Sequence, residues 1–251
     1  MELAQTGMEQ RLRHFRPAVM SGLSVATWNI HKGIGRDRRR DLDRTAAVIG
    51  EIAPDIMALQ EADTRFFGRK GLLDLHALAR EHGLVAVALP GGGPAHGWHG
   101  NILLLREAEV DAVHRIDLPG LEPRGALIAD LRHQGQRLRV IGTHLGLLSG
   151  SRAAQTQHLM ALLAGMDKRP TLLMGDFNEW RTPGSAALRH FAPDFRDTVA
   201  LPSFPARYPV VPLDRMMISG AARLREGRVH NTLLARHASD HLPVTARLQL
   251  E

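Results

Sequence analysis

Asp176 and Asn178 stand two residues apart, just past an apolar run, Thr171–Met174, that stops at Gly175. In an extended chain that spacing turns both side chains to the same side. A buried strand that delivers a carboxylate and a carboxamide to one point is a costly arrangement unless the groups have a task. Holding a metal ion or positioning a reactant is such a task. The alternative is a plain strand-to-loop turn, with Asp and Asn in their usual turn roles. Other apolar runs in the chain end in the same way. Leu23–Trp28 ends at Asn29, Ile56–Leu59 at Gln60-Glu61, and Arg137–His144 in a histidine. Asp214 sits at the start of a run that begins at Leu213, and Asp240-His241 comes just before the last one, Val244–Leu250. Polar residues placed repeatedly at strand ends point to one pocket at a common edge of packed sheets.

The residue types suit hydrolysis of a phosphate ester. Glu61, Asp176 and Asp240 are hard oxygen donors, and the chain has no Cys, which favours Mg²⁺ or Mn²⁺ over Zn²⁺. Such an ion neutralises phosphate charge. His144 and His241 can each act as acid, base or charge clamp. Asp214 can orient one of them. Asn29 and Asn178 offer neutral hydrogen bonds that do not repel an anion.

The elements that position these groups alternate strands with helices. A helix follows the charge run Asp37–Arg40, capped by Asp41 or Asp43, with Leu42, Ala46, Ile49 and Ile52 at helical spacing. Further helices are expected over Gly71–His82, from a Ser149 or Ser151 cap to Met166, and over Gly184–Arg189. Further strands are expected at Leu84–Leu89, Asn101–Leu105, Val110–Leu118 and Gly125–Leu131, with a hairpin turn at His133–Gln136. Leu213–Ser219 and Ala222–Val229 read as a strand pair around Gly220, after an irregular Pro-rich segment, Ala200–Pro212. No internal repeat is visible. Residues 1–22 read as a tail or short helix and 23–251 as a single α/β (α+β) domain. Phe66-Phe67 reads as partly buried.

At 251 residues and 44% hydrophobic content the chain can build a substantial core, and an aromatic share of 4% means that core is aliphatic. No apolar run reaches the ~18 residues of a membrane span. No secretory signal is evident and Cys is absent, which agrees with a cytoplasmic location. A net charge of +6 favours anionic partners: nucleic acid, a phosphate ester, an anionic membrane surface. Arg36, Arg38, Arg39 and Arg40 form either a solvated face or a phosphate-steering loop beside Asn29.

Taken in order, Thr27-Trp28-Asn29-Ile30-His31, Leu59-Gln60-Glu61, Gly142-Thr143-His144-Leu145, Gly175-Asp176-Phe177-Asn178, Leu213-Asp214-Arg215 and Ser239-Asp240-His241-Leu242-Pro243 resemble the endonuclease/exonuclease/phosphatase superfamily, of DNase I-like fold. The resemblance spans about residues 23 to 250. It implies a four-layer α/β/β/α sandwich, with two mixed, mainly antiparallel sheets face to face and helices outside. It implies a metal-dependent phosphodiesterase or phosphatase. Carried over, Glu61 is the principal metal ligand, helped by Asn29 and Asp240. Asp176 and Asn178 position and activate water. His241 binds the scissile phosphate or acts as base, oriented by Asp214. His144 matches the second histidine of the DNase I and neutral sphingomyelinase branches, where it assists the leaving group. Arg124 falls where relatives contact phosphate, and Asn101 is expected in the same pocket. A monomer is expected. Among substrates a nucleic acid ranks ahead of a lipid headgroup, because no long apolar hairpin for membrane contact is evident. A non-catalytic nucleic-acid-binding module is disfavoured by the retained carboxylates.

Overall fold

The structure is a computed structural model that describes residues 22–65, 68–181 and 185–251. The tail expected over residues 1–22 lies outside the described residues except for Gly22, and Phe66-Phe67 and Gly184 lie outside them as well. In chain order the elements are β1 (Leu23–Asn29), α1 (Leu42–Ile52), β2 (Ile56–Gln60), α2 (Leu75–His82), β3 (Val85–Ala86), β4 (Ile102–Leu105), β5 (Glu109–Leu118), β6 (Arg124–His133) and β7 (Gln136–His144). They continue with α3 (Ser149–Ala164), β8 (Thr171–Asp176), α4 (Ala186–Arg189), β9 (Phe195–Ala200), β10 (Asp214–Ser219), β11 (Ala222–Val229), α5 (Leu233–Ala238) and β12 (Val244–Leu250).

The strands make two six-stranded sheets, ordered β11-β12-β1-β2-β4-β3 and β5-β6-β7-β8-β10-β9. Strand residues alternate between two cores. Val25, Ala58 and Leu103 meet Val140, Leu172 and Met174 between the sheets. Their neighbours Ala26, Met57 and Leu104 pack outward on Val48, Leu78 and Ala235 of the helices. Ile128, Ile141 and Leu173 pack on Leu159, Phe177 and Phe191. Strands buried on both faces read as continuous apolar runs, which is why β2 and β8 look so plainly buried in sequence. The result is the α/β/β/α sandwich.

Each sheet is mainly antiparallel and holds one parallel pair, β1 with β2 and β7 with β8. The connection β1-α1-β2-α2-β3-β4 is repeated in β7-α3-β8-α4-β9-β10, with the same pairing of the last two strands. The topology therefore repeats where the sequence shows no repeat, because two halves can share pairing rules without sharing side chains.

Several local expectations are corrected. β10 and β11 do not pair with each other: Gly220, at φ +81, carries the chain from one sheet to the other. Apolar alternation is the same for a hairpin and for such a crossing, so the pattern does not separate them. Neither Ser149 nor Ser151 caps α3. Leu148 holds the cap position without a side-chain bond, and the helix ends at Ala164. α2 begins at Leu75, capped by Asp74, because Gly71 is held in a bridge with Asp63. Asp41 caps α1. β9 and α5 were not expected; α5 is too short to show a period, and Thr232 starts it.

Candidate active site

The C-terminal ends of β1, β2, β7 and β8 and the N-terminal ends of β6 and β10 lie at one end of the sandwich. Asp176 is the last residue of β8 and is only 2% exposed. The step before it requires glycine. Gly175 has φ +153, and a Cβ there would lie 1.8 Å from the Thr143 carbonyl oxygen of β7. That close approach sets Asp176 beside its parallel partner His144.

Asp176 is the hub. Its Oδ2 accepts from Asn29 Nδ2 at 3.0 Å, a bond that joins the two sheets. Its Oδ1 accepts from the Asn178 backbone N–H at 2.9 Å. His144 Nε2 lies 3.4 Å from Oδ2 and His241 Nε2 lies 3.8 Å from it. Asn178 Nδ2 donates to the Leu145 carbonyl at 2.9 Å, which fixes the amide orientation, and it stands 3.0 Å from His144 Nε2. A donor facing Nε2 makes that nitrogen an acceptor, so the ring is neutral. Complete burial agrees: it lowers the His144 pKa to about 4, with Arg124 adding to the effect against the pull of Asp176.

His241 is in the opposite state. Its Nδ1 donates to Asp214 Oδ2 at 2.8 Å, and the same oxygen accepts from Ser203 Oγ at 2.5 Å. Burial works to lower its pKa, but the Asp214 carboxylate, then Asp176, outweigh it and raise it to about 10. Trp28, fully buried, donates from Nε1 to the His241 carbonyl at 2.9 Å, and Ser239 Oγ accepts from the His241 backbone N–H at 3.2 Å. Phe204 lies against the imidazole at 4.8 Å between ring centres.

Glu61 follows β2 in the left-handed backbone region, at φ +54. Lys32, at φ +57, donates from Nζ to Glu61 Oε2 at 2.6 Å. Burial works to raise the Glu61 pKa. His144, which is charged in the acid range where this carboxyl titrates, and then Lys32 overcome it and hold the carboxyl at about 2. His31 and Asn178 also have positive φ, at 45° and 50°. Such residues cost about 1–3 kcal/mol each and collect where function requires them.

Glu61, Lys32, Arg124 and His144 line one cleft with Asp63, Arg65, Arg69 and His99. Arg124 is nearly buried, donates to Glu122 at 2.8 Å, and leaves its Nε without a partner. Asp240 stands at the rim, 3.7 Å from His31 Nδ1 and half exposed. Asn29 Oδ1 accepts from the His31 N–H at 3.0 Å, which leaves that oxygen one lone pair for another ligand.

The donor chemistry here suits a divalent ion. Glu61, Asn29 and Asp240 present only oxygens, and the Glu61 carboxyl is held ionised beside a cation already. Asp176, Asp214 and His241 also bring ligand atoms within 4.8 Å of one another. There, however, Asp214 is fully buried and its Oδ2 is filled by Ser203 and His241, so a hydrogen-bonded dyad describes the group better.

One expected residue is displaced. Asn101 is fully buried, and its Nδ2 donates to the Trp98 and Gly125 carbonyls at 3.0 Å each. Those bonds tie β4 to β6 and take both amide hydrogens, so the side chain has no donor left for phosphate. Sequence reasoning passed over Ser203, which lies in the irregular segment, and did not pair Lys32, the first cation of a basic loop, with Glu61. It also passed over Glu179. That carboxylate takes bonds from Arg152 at 3.2 Å and Ser185 at 2.7 Å, and its carbonyl accepts from buried Arg215 at 2.8 Å. The three anchor the loop that carries Asn178. Glu179 is adjacent to Asn178 in sequence, which was the available signal.

The model of the Endonuclease/Exonuclease/phosphatase family matches residues 26–241 of the chain. An uncharacterised protein of Escherichia coli K12, YbhP, is 28% identical over an alignment of 256 residues that covers 90% of this chain and 96% of that one. Among solved structures, an endonuclease/exonuclease/phosphatase of Beutenbergia cavernae is 26% identical with a TM-score of 0.67, covering 91% of this chain and 71% of its own. The human nocturnin catalytic domain, solved with a bound sulfate anion, has a TM-score of 0.67 at 20% identity and covers 92% of this chain and 95% of its own.

Proposed function

The chain belongs to the endonuclease/exonuclease/phosphatase family, and from that premise we propose that its cleft hydrolyses a phosphodiester with the help of Mg²⁺ or Mn²⁺. The observation that carries this reading is the convergence on Asp176 of two differently held histidines, His144 Nε2 at 3.4 Å with an Asn178 donor against it and His241 Nε2 at 3.8 Å with its Nδ1 on Asp214. Titratable groups held in such different environments divide the work of proton acceptor and charge donor.

In this reading Glu61, Asn29 and Asp240 hold the metal ion. The ion supplies neutralisation of phosphate charge. Asp176 takes the proton of the attacking water. Asn29 and the Asn178 N–H fix its carboxylate, and the Asn178 carbonyl oxygen orients the water. His241, clamped by Asp214, directs Nε2–H at a phosphate oxygen as negative charge builds there. Arg124 lies beside the Glu61 end of the cleft and adds a second cation, steadied by Glu122. His144 accepts from Asn178 and so holds that amide in place, and its neutral ring does so without competing for the phosphate.

The test is chelation. Hydrolysis of bis(4-nitrophenyl) phosphate disappears in EDTA and returns with Mg²⁺ or Mn²⁺. Full turnover in the chelator rules this mechanism out.

A further inference from the structure

Exposed large apolar side chains are unevenly spread over the described residues. Val85 and Val110 lie near strand starts at the end away from the cleft, Leu233 begins α5, and Tyr208 and Val210 stand between β9 and β10, whereas Leu121, Leu147, Leu148 and Trp180 lie on loops at the end that bears the cleft. These four are 85%, 65%, 52% and 60% exposed. Their loops adjoin the strand ends that carry Arg124, His144 and Asp176.

The loops are tied to one another. Glu122 accepts from the Leu147 N–H at 2.7 Å. Arg152 donates to the Leu147 carbonyl at 2.6 Å and to Glu179 at 3.2 Å. Asn178 donates to the Leu145 carbonyl at 2.9 Å. The apolar tips are therefore held out into water by a bonded base. A rigidly displayed apolar rim beside a functional cleft marks a contact surface.

The opposite side of the cleft is cationic. The loop after β1 exposes Arg36, Arg38, Arg39 and Arg40, and its fold is fixed by Arg40 Nε donating to the Lys32 carbonyl at 3.1 Å. Apolar tips on one side and arginines on the other, about a phosphate-binding cleft, complement the boundary of an anionic bilayer. Hydrocarbon lies below such a boundary and phosphates lie in its plane. Among the described residues no helix is long and apolar enough to cross a membrane, so contact at the surface is the mode these features serve.

We propose that this end of the sandwich docks on an anionic lipid surface. Leu121, Leu147, Leu148 and Trp180 enter the headgroup–acyl boundary, and Arg36, Arg38, Arg39 and Arg40 rest on the headgroups. The cleft then receives a phosphate ester presented by the bilayer; that last step rests on the hydrolytic reading above, and the docking does not. A single-stranded nucleic acid fits the rim less well. Bases bind by stacking on aromatic rings, and of the exposed apolar side chains only Trp180 and Tyr208 have one, each with a guanidinium already near its centre, Arg181 at 5.0 Å and Arg207 at 5.2 Å.

The experiment measures flotation with phosphatidylcholine vesicles, with and without phosphatidylglycerol, in EDTA so that no turnover intervenes. The expected result is binding that requires phosphatidylglycerol. Leu121→Ser, Leu147→Ser and Leu148→Ser together weaken it about tenfold or more, while hydrolysis of soluble bis(4-nitrophenyl) phosphate in Mg²⁺ is unchanged. In the unmodified protein, anionic vesicles shift Trp fluorescence to the blue, and Trp180→Leu abolishes the shift, which separates Trp180 from the partly buried Trp98; Trp28 is fully buried. No vesicle binding, or binding that the triple substitution leaves intact, overturns the proposal. So does tighter binding to a single-stranded oligonucleotide that the triple substitution does not affect. Vesicle binding without hydrolysis of the soluble ester supports docking and removes only the catalytic reading.

Discussion

The two halves of the molecule follow one topological plan and carry different chemistry at the same place. In the first half the parallel pair ends with Asn29 opposite Gln60; in the second it ends with His144 opposite Asp176. Asp176, at the register position itself, is buried and accepts one hydrogen bond on each oxygen. Gln60, its counterpart, turns inward and donates to Thr27 Oγ1 at 3.1 Å. The carboxylate of the first half comes one residue later, as Glu61, on a left-handed step that frees it from the strand and sets it against Lys32. A single residue of offset in a period-2 element changes the face and the environment of a side chain. In the proposed mechanism one half thus supplies the site for cations, and the other the site for proton handling.

Three substitutions can break or sharpen that division. The largest effect belongs to the second half. Asp176→Ala should cut turnover on a soluble phosphodiester by about 100-fold or more, as loss of a positioned proton acceptor does, with the fold retained. Gln60→Ala, at the equivalent position, should lower thermal stability and leave kcat within a few-fold. Equal losses of kcat from both would mean that the halves share one task. Next comes the first half. Glu61→Gln should raise the Mg²⁺ concentration for half-maximal rate by about 10–100-fold, the scale on which metal-site partners act. Recovery at high Mg²⁺ separates this variant from Asp176→Ala, which metal should not rescue. An Mg²⁺ requirement equal to that of the unmodified protein would take Glu61 out of the cation end.

The parts of this plan that were legible in the sequence follow from burial. β1, β2, β7 and β8 are apolar on both faces, so each read as a strand, and the polar residue at its end stood out by contrast. The pairing of halves was not legible, because strand order depends on contacts between distant segments, and no spacing along the chain records them. For the same reason the crossing at Gly220 looked like a hairpin. Within the site, Asp214 and His241 carried a motif, but Ser203, which completes their dyad, lies in a segment whose shape follows from tertiary packing. Lys32 illustrates a different gap. In sequence a lysine beside four arginines is one cation among many, and only the positive φ at residues 32 and 61 brings its ammonium onto Glu61. Asn101 shows the converse. Its place beside the cleft was anticipated, but a buried amide there closes the gap between β4 and β6 instead of facing a ligand.

The smallest effect tests whether the two ends of the sandwich are as separate as the two halves are divided. At the end away from the cleft, Arg139 donates to buried Asp130 at 2.7 Å and 3.0 Å and to Asp167 at 2.9 Å. Arg169 bonds Asp167 at 2.7 Å. That Arg169 bond, against a small opposing pull of burial and with the help of Arg139, lowers the Asp167 pKa from 3.8 to about 2. A carboxyl with a depressed folded-state pKa stabilises the fold above its unfolded value and loses that contribution as pH falls through the folded one. Asp167→Asn should therefore lower Tm slightly at neutral pH, since the group is exposed and screened. The difference should shrink as pH falls below about 4 and vanish only below about 2. Turnover per folded molecule and half-maximal Mg²⁺ should stay at the unmodified values, because nothing at this end reaches Asp176 or Glu61 through a hydrogen bond. A change in either would show that the salt-bridge cluster acts on the cleft through β6, β7 and β8, the strands that run from the cluster to the cleft.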